Sequence, residues 1–206
     1  CTLILKKTND ETFENAKEHM ERGFKHQSIK IGLTPDIDFQ NVKMLREHFG
    51  DEIEIRVDAN ASMNYEQAVQ TLGRLEPFNL ELVEQPVPIW DVDGLAALSA
   101  SVSMPIIADE SVSDDHDLLD VIKKRAATGF QTKISKNGGI YYIRKLFTLA
   151  SAAGLSIYPG NHPTTSIGTA AILHLCAAWP EPIKPGNVAT GINSSLADDI
   201  VVKSVR

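Results

Sequence analysis

Ile53-Glu54-Ile55-Arg56-Val57-Asp58-Ala59-Asn60 alternates apolar and polar residues, then breaks on Asp-Ala-Asn. That pattern predicts a strand over Ile53–Val57 with an acid at its C-terminal end. A helical period follows: Tyr65, Ala68, Leu72 and Leu75 fall at i, i+3, i+7 and i+10 and predict one core-facing stripe. Before it, Phe39, Val42, Leu45 and Phe49 mark another helix, and Gly50 stands as its stop signal.

The unit recurs along the chain. Strands are expected at Thr2–Leu5, Ser28–Ile31, Ile53–Val57, Glu81–Val83, Pro105–Ile107, Gln131–Ile134 and Leu155–Tyr158. Further helical stripes carry Leu118, Leu119 and Ile122, then Ile143, Leu146 and Ala150. Strand and helix alternating at this pitch imply parallel strands joined by helical crossovers. An open doubly wound sheet and a closed barrel both fit so far.

The charged residues choose between them. Successive strands end on Lys30, Asp58, Glu84, Asp109 and Lys133, at separations of 28, 26, 25 and 24 residues. Each step is one strand–helix unit, and the charge always falls at the same end. In a barrel that end is where active sites are built. In an open sheet the five ends would lie along a line and could not converge. Taken singly, a strand-end aspartate caps the next helix and a lone lysine is a solvated charge. Five in register are neither. Lys30 alternates with Ile29 and Ile31, and Lys133 with Thr132 and Ile134, so the charges share an inner face. Arg56 shares the face of Asp58 and is expected lower in the barrel, near another strand's acid.

Three carboxylates from neighbouring strands form an all-oxygen, hard-cation set suited to Mg²⁺, with Mn²⁺ as the alternative. Without a cation such a cluster repels itself. Lysines on either side suit an acid–base pair, because a lysine near other cations in a dry site loses its proton readily.

Composition narrows the partners. The chain has 206 residues, 43% of them hydrophobic, and a net charge of −7. That charge disfavours nucleic acid and anionic membranes. No apolar run approaches the ~20 residues of a membrane span. The two cysteines, Cys1 and Cys176, show no metal or disulfide spacing, and the expectation is a cytoplasmic protein with reduced thiols.

The motifs, taken as a set, resemble the enolase superfamily and, within it, the muconate-lactonizing enzymes of the mandelate racemase/muconate lactonizing group. They are Ile29-Lys30-Ile31-Gly32, Asp58-Ala59-Asn60, Glu84-Gln85-Pro86, Asp109-Glu110-Ser111 and Lys133-Ile134-Ser135-Lys136-Asn137-Gly138-Gly139. The resemblance covers about residues 10 to 180. It implies a (β/α)7–8 TIM-type barrel, incomplete here, filling residues 1–206, with 195–206 beginning a return to an absent N-terminal capping domain. It implies Mg²⁺ on Asp58, Glu84 and Asp109. It also implies Lys30 and Lys133 on opposite faces of a carbon beside the substrate carboxylate, with the metal stabilising the enediolate.

Two departures stand out. The family's strand-two Lys-x-Lys reads Ser28-Ile29-Lys30, and Thr164 stands where a glutamate is usual. Ser28 and Thr164 are therefore candidate substrate contacts, as are His162, which lies near Thr164, and Asn60, whose other expected role is to position the metal shell or a neighbouring lysine. The expected activity is a racemase, epimerase or cycloisomerase acting on a small carboxylate, in a possible homo-oligomer. An acid-sugar or hydroxy-acid dehydratase on the same scaffold is one alternative. A truncated, non-catalytic metal-binding barrel is another.

Overall fold

A computed structural model of the chain describes residues 2–4, 8–162, 164–187 and 199–202. Strands and helices alternate in it: β1 (Thr2–Ile4), α1 (Asn9–Glu21), β2 (His26–Lys30), α2 (Pro35–Phe49), β3 (Glu54–Asp58), α3 (Tyr65–Leu75), β4 (Leu82–Glu84), α4 (Val92–Ser101), β5 (Ile106–Ala108), α5 (Asp115–Lys124), β6 (Gly129–Lys133), α6 (Ile140–Ala153), β7 (Ser156–Gly160) and α7 (Ser166–Ala178). The strands form one sheet in the order β1-β2-β3-β4-β5-β6-β7, parallel at every step. The sheet curls into a partial barrel, and an isolated parallel bridge from Gly160 to Asn187 extends it past β7. Among the described residues β1 and β7 do not pair, so seven strands are in place and closure is not shown.

Each strand end sits within two residues of its expectation. The expected ends were set by apolar runs, whereas hydrogen bonding carries β3, β4 and β5 on to Asp58, Glu84 and Ala108. Leu5, Pro163 and most of 195–206 fall outside the described residues. Helices α1, α4 and α7 fill crossovers for which no stripe had been named. The helices start where side chains satisfy the first free N–H groups. Thr8 with Glu11, Asn64 with Gln67 and Asp114 with Asp117 form reciprocal capping boxes. Thr34 caps α2 ahead of Pro35.

The alternation divides the barrel into two cores. Outward-facing Ile29, Ile55, Val57, Val83, Ile106 and Phe130 pack with the helix stripes into one large buried cluster. Each such side chain contributes on the order of 1.5–3 kcal/mol on burial. Of the α3 stripe, Ala68, Leu72 and Leu75 are fully buried. Tyr65 is not: it is 37% exposed, as the first residue of α3. Inward, Leu82, Ile107 and Tyr158 form a small separate cluster. It underlies the charged strand ends.

Arg56 lies at this lower level, 5.4 Å from the Tyr158 ring. Its Nε donates to Glu81 at 2.6 Å and its Nη1 to the Pro185 carbonyl at 2.7 Å. Arg56 is thus deep in the barrel against another strand's acid, as expected. His26 Nδ1 shares Glu81 at 2.8 Å. Burial pushes the Glu81 carboxyl up, but the Arg56 and His26 bonds outweigh it and hold it below the usual range.

Candidate active site

Strand register assembles the charges. Lys30 is the partner of Asp58 across β2–β3, and Asp58 is the partner of Glu84 across β3–β4. Asp109 directly follows β5, and Lys133 closes β6. Asp58 and Glu84 are each 3% exposed, Asp109 is 0% and Lys133 is 7%. The five residues expected at the mouth are therefore adjacent and largely out of water.

Their hydrogen bonds show how the carboxylates are satisfied. Lys30 Nζ pairs with Asp58 Oδ2. Lys133 Nζ pairs with Asp109 Oδ2. Lys136 Nζ holds Asp109 Oδ1 at 2.7 Å. Glu84 lies between these pairs and accepts from Gln131 Nε2 at 2.6 Å. Burial, and then the charges of Asp58 and Asp109, push the Glu84 carboxyl well above the usual carboxylate range. Burial opposes ionisation of Asp109 too, yet Lys136 and Lys133 win and hold it low. Burial pulls the Lys133 ammonium down while Asp109 pulls it up further. For Lys136 burial prevails, and its ammonium titrates below the usual lysine value.

Among the described residues no three acids already converge as a metal cage. Asp58 and Asp109 have turned to lysine ammonium groups. The donor set nonetheless fits a hard divalent cation. It consists of three buried carboxylates from consecutive strands, one of them repelled by the other two, and all their present side-chain partners are cations or N–H donors. Swinging Lys30 and Lys133 away would leave one oxygen on each side of Glu84.

The loops beyond the strands brace this arrangement. Asn60, at φ 45°, donates its backbone N–H to Asp58 Oδ1 at 2.8 Å and its Nδ2 to Glu110 Oε1 at 3.0 Å. It thereby braces an acid of the set. Gln85, also left-handed at φ 35°, accepts from the backbone N–H groups of Asp109 at 2.9 Å and Ser111 at 3.1 Å. Such conformations cluster at functional sites. Burial, then Asp109, pushes the Glu110 carboxyl up, and its Oε2 is buried with no partner among the described residues.

The other candidates lie further out or lower down. His162 Nδ1 is 2.8 Å from Ser135 Oγ at the rim. Burial first, and the nearby Lys133 charge second, lower its pKa. Ser28 is buried one layer below Lys30, and its Oγ has no partner among the described residues. Thr164 packs over Gly168 in the first turn of α7, where a Cβ would stand 2.3 Å from its Oγ1. No contact ties Thr164 to the acids. Lys136, Gln131, Gln85 and Glu110 had been given no site role from the sequence. Lys136, Gln85 and Glu110 lie inside the motifs quoted from the sequence, and Gln131 has the inward phase of Lys133 two residues on.

The Enolase C-terminal domain-like family matches residues 11–203. The chain belongs to that family. Within the enolase superfamily it is 32% identical over 171 residues to the L-Ala-D/L-Glu epimerase of Clostridium acetobutylicum, covering 82% of this chain and 48% of that protein. It is 35% identical over 159 residues to a chloromuconate cycloisomerase of Cupriavidus necator, covering 76% and 43%. The crystal structure of the dipeptide epimerase from Enterococcus faecalis V583, complexed with Mg and the dipeptide L-Leu-L-Tyr, superposes with a TM-score of 0.92 at 31% identity, over 99% of this chain and 57% of that one. The chain thus spans about half the length of the curated relatives it matches. No helix among the described residues is long and apolar enough to cross a membrane.

Proposed function

We propose that the protein carrying this chain abstracts the proton alpha to a substrate carboxylate, as a racemase or epimerase or as a cycloisomerase. The observation that carries this reading is the placement of Lys30 and Lys133 on either side of Glu84, each beside one of the flanking acids. Asp58, Glu84 and Asp109 would hold Mg²⁺, with Mn²⁺ as a substitute. When bound, the metal supplies positive charge where the substrate carboxylate gains negative charge.

The chain's own residues divide the remaining work. Lys30 and Lys133 leave their carboxylates and face the substrate's alpha carbon from opposite sides. The deprotonated one takes the proton, and the protonated one returns a proton to the other face. Two faces permit stereochemical inversion; a cycloisomerase uses one. Gln131, Asn60 and Gln85 keep the acids aimed. His162 and Ser135 at the rim, with Thr164 and Ser28, set which carboxylate fits. Epimerases and a cycloisomerase among the relatives support this chemistry. In this reading residues 1–206 are one catalytic barrel domain, and 195–206 lead toward a capping domain.

The test is metal-dependent exchange of the substrate alpha proton in D₂O, followed by NMR. The panel spans dipeptides, N-acyl amino acids, muconates and hydroxy acids, with Lys30→Ala and Lys133→Ala in parallel. Each variant is expected to lose exchange for one stereoisomer. Exchange that persists equally in both variants would remove the lysines from the reaction. A keto acid formed from a hydroxy acid would move the protein to the dehydratases.

A further inference from the structure

Asp109 has two lysine partners, and they are held very differently. Lys136 Nζ donates to Asp109 Oδ1 at 2.7 Å, to the Asp109 carbonyl, and to the Gln131 carbonyl at 2.9 Å. An ammonium group has three N–H donors, and all three are used. Lys133 Nζ, among the described residues, donates only to Asp109 Oδ2. The first cation sits in a socket; the second is tethered at one point.

The socket lies where the sheet stops helping. The β5–β6 ladder ends at Ala108 and Phe130, one residue short of Asp109 and Gln131. Lys136 ties those two carbonyls across the gap and so fixes the end of β5, which carries Asp109, to the strand that carries Gln131 and Lys133. It also occupies Oδ1 of Asp109, leaving Oδ2 to Lys133.

We propose that Lys136 is a positioning residue: the standing counter-ion of Asp109, which reserves Oδ2 for exchange between the Lys133 ammonium and a divalent cation. This rests on Asp109 being a metal ligand. Without Lys136, both oxygens turn to Lys133, which then competes better against the incoming ion. Without Lys133, the competitor is gone. The two lysines of one carboxylate therefore affect metal affinity with opposite signs.

The experiment is Mn²⁺ binding by calorimetry to the full protein and its Lys136→Met and Lys133→Met variants. Lys136→Met is expected to weaken Mn²⁺ about tenfold, the low end for a group that orients a metal ligand, and Lys133→Met to tighten it. Affinity in Lys136→Met that is unchanged or tighter overturns the proposal and leaves Lys136 a strand staple. If Lys136→Met does not fold, amine modification of the wild type, read by mass spectrometry, decides. Lys136 should stay protected with and without Mn²⁺, while Lys133 reacts faster once Mn²⁺ is added. Equal modification of the two in the presence of Mn²⁺ overturns it. A wild type that binds no Mn²⁺ defeats the proposed function instead. The metal-free labelling then still tests the socket: a Lys136 that stays protected supports it, and a reactive Lys136 sinks it.

Discussion

Gln131 reaches Glu84 while its side chain packs against the bare backbone of Gly160. Its Nε2 donates to Glu84 Oε1 at 2.6 Å, and a Cβ on Gly160 would stand 2.9 Å from Gln131 Cδ. Glu84 is the acid most disfavoured by its neighbours, so its one side-chain donor among the described residues matters for its aim. The missing side chain on β7 is what gives that donor room.

Gly160→Ala should therefore act through Gln131. Gly160 is not among the residues with positive φ, so alanine adds a clash but no backbone strain. Mn²⁺ affinity is expected to fall about tenfold, as when other partners that orient metal ligands are lost. Gln131→Ala should do the same, and the double variant little more, because both remove one interaction. Fully additive losses in calorimetry would separate Gly160 from Gln131.

These contacts mark where the sequence stops being informative. Lys30, Asp58, Glu84, Asp109 and Lys133 are legible because each repeats once per strand–helix unit, and strand phase alone puts them on one face. Arg56 was legible as inward-facing for the same reason, but its partner Glu81, just ahead of β4, was not. Gln131 has the same phase, but its value depends on the absence of a side chain on Gly160, a residue of the next strand. Lys136 sits in a turn, where no period predicts direction. Tyr65 fits the helical period and still lies outside the core, since a stripe does not reveal that the first residue of its helix is exposed.

Glu81 links the barrel floor to pH. Its carboxyl is held below its usual value by Arg56 and His26 against the effect of burial. A depressed folded-state value adds stability that is present above the unfolded value, near 4.5, and is lost as pH falls through the folded one. Glu81→Gln should cost about 3 kcal/mol at pH 7, because it leaves the buried Arg56 without its counter-charge. The difference from wild type should shrink as both are unfolded at successively lower pH below 4.5. A difference that stays constant down to pH 3 would mean that the ion pair is not its source.

Asn60 separates backbone from side-chain effects. Both Asn60→Gly and Asn60→Ala remove the bond to Glu110 and keep the backbone N–H on Asp58. Only alanine has a Cβ to strain at φ 45°, at a cost of about 1 kcal/mol. Denaturant unfolding should therefore rank wild type above Asn60→Gly, and Asn60→Gly above Asn60→Ala. The reverse order would show that residue 60 does not hold its left-handed conformation.

Cys176 lies on α7, half-buried and free of any disulfide. Burial pushes its thiol from 9.0 up to about 11. Only the thiolate attacks an alkylating reagent. At pH 8 the folded protein then holds about one thiolate in a thousand, against roughly one in ten for an unshifted thiol. Iodoacetamide should modify Cys176 about a hundredfold more slowly in the folded protein than in urea, read on its own peptide so that Cys1 does not interfere. Because no acid or base of the candidate site contacts it, Cys176→Ser should leave Mn²⁺ affinity within about twofold. Rapid labelling under native conditions would show that α7 opens often enough to expose its buried side.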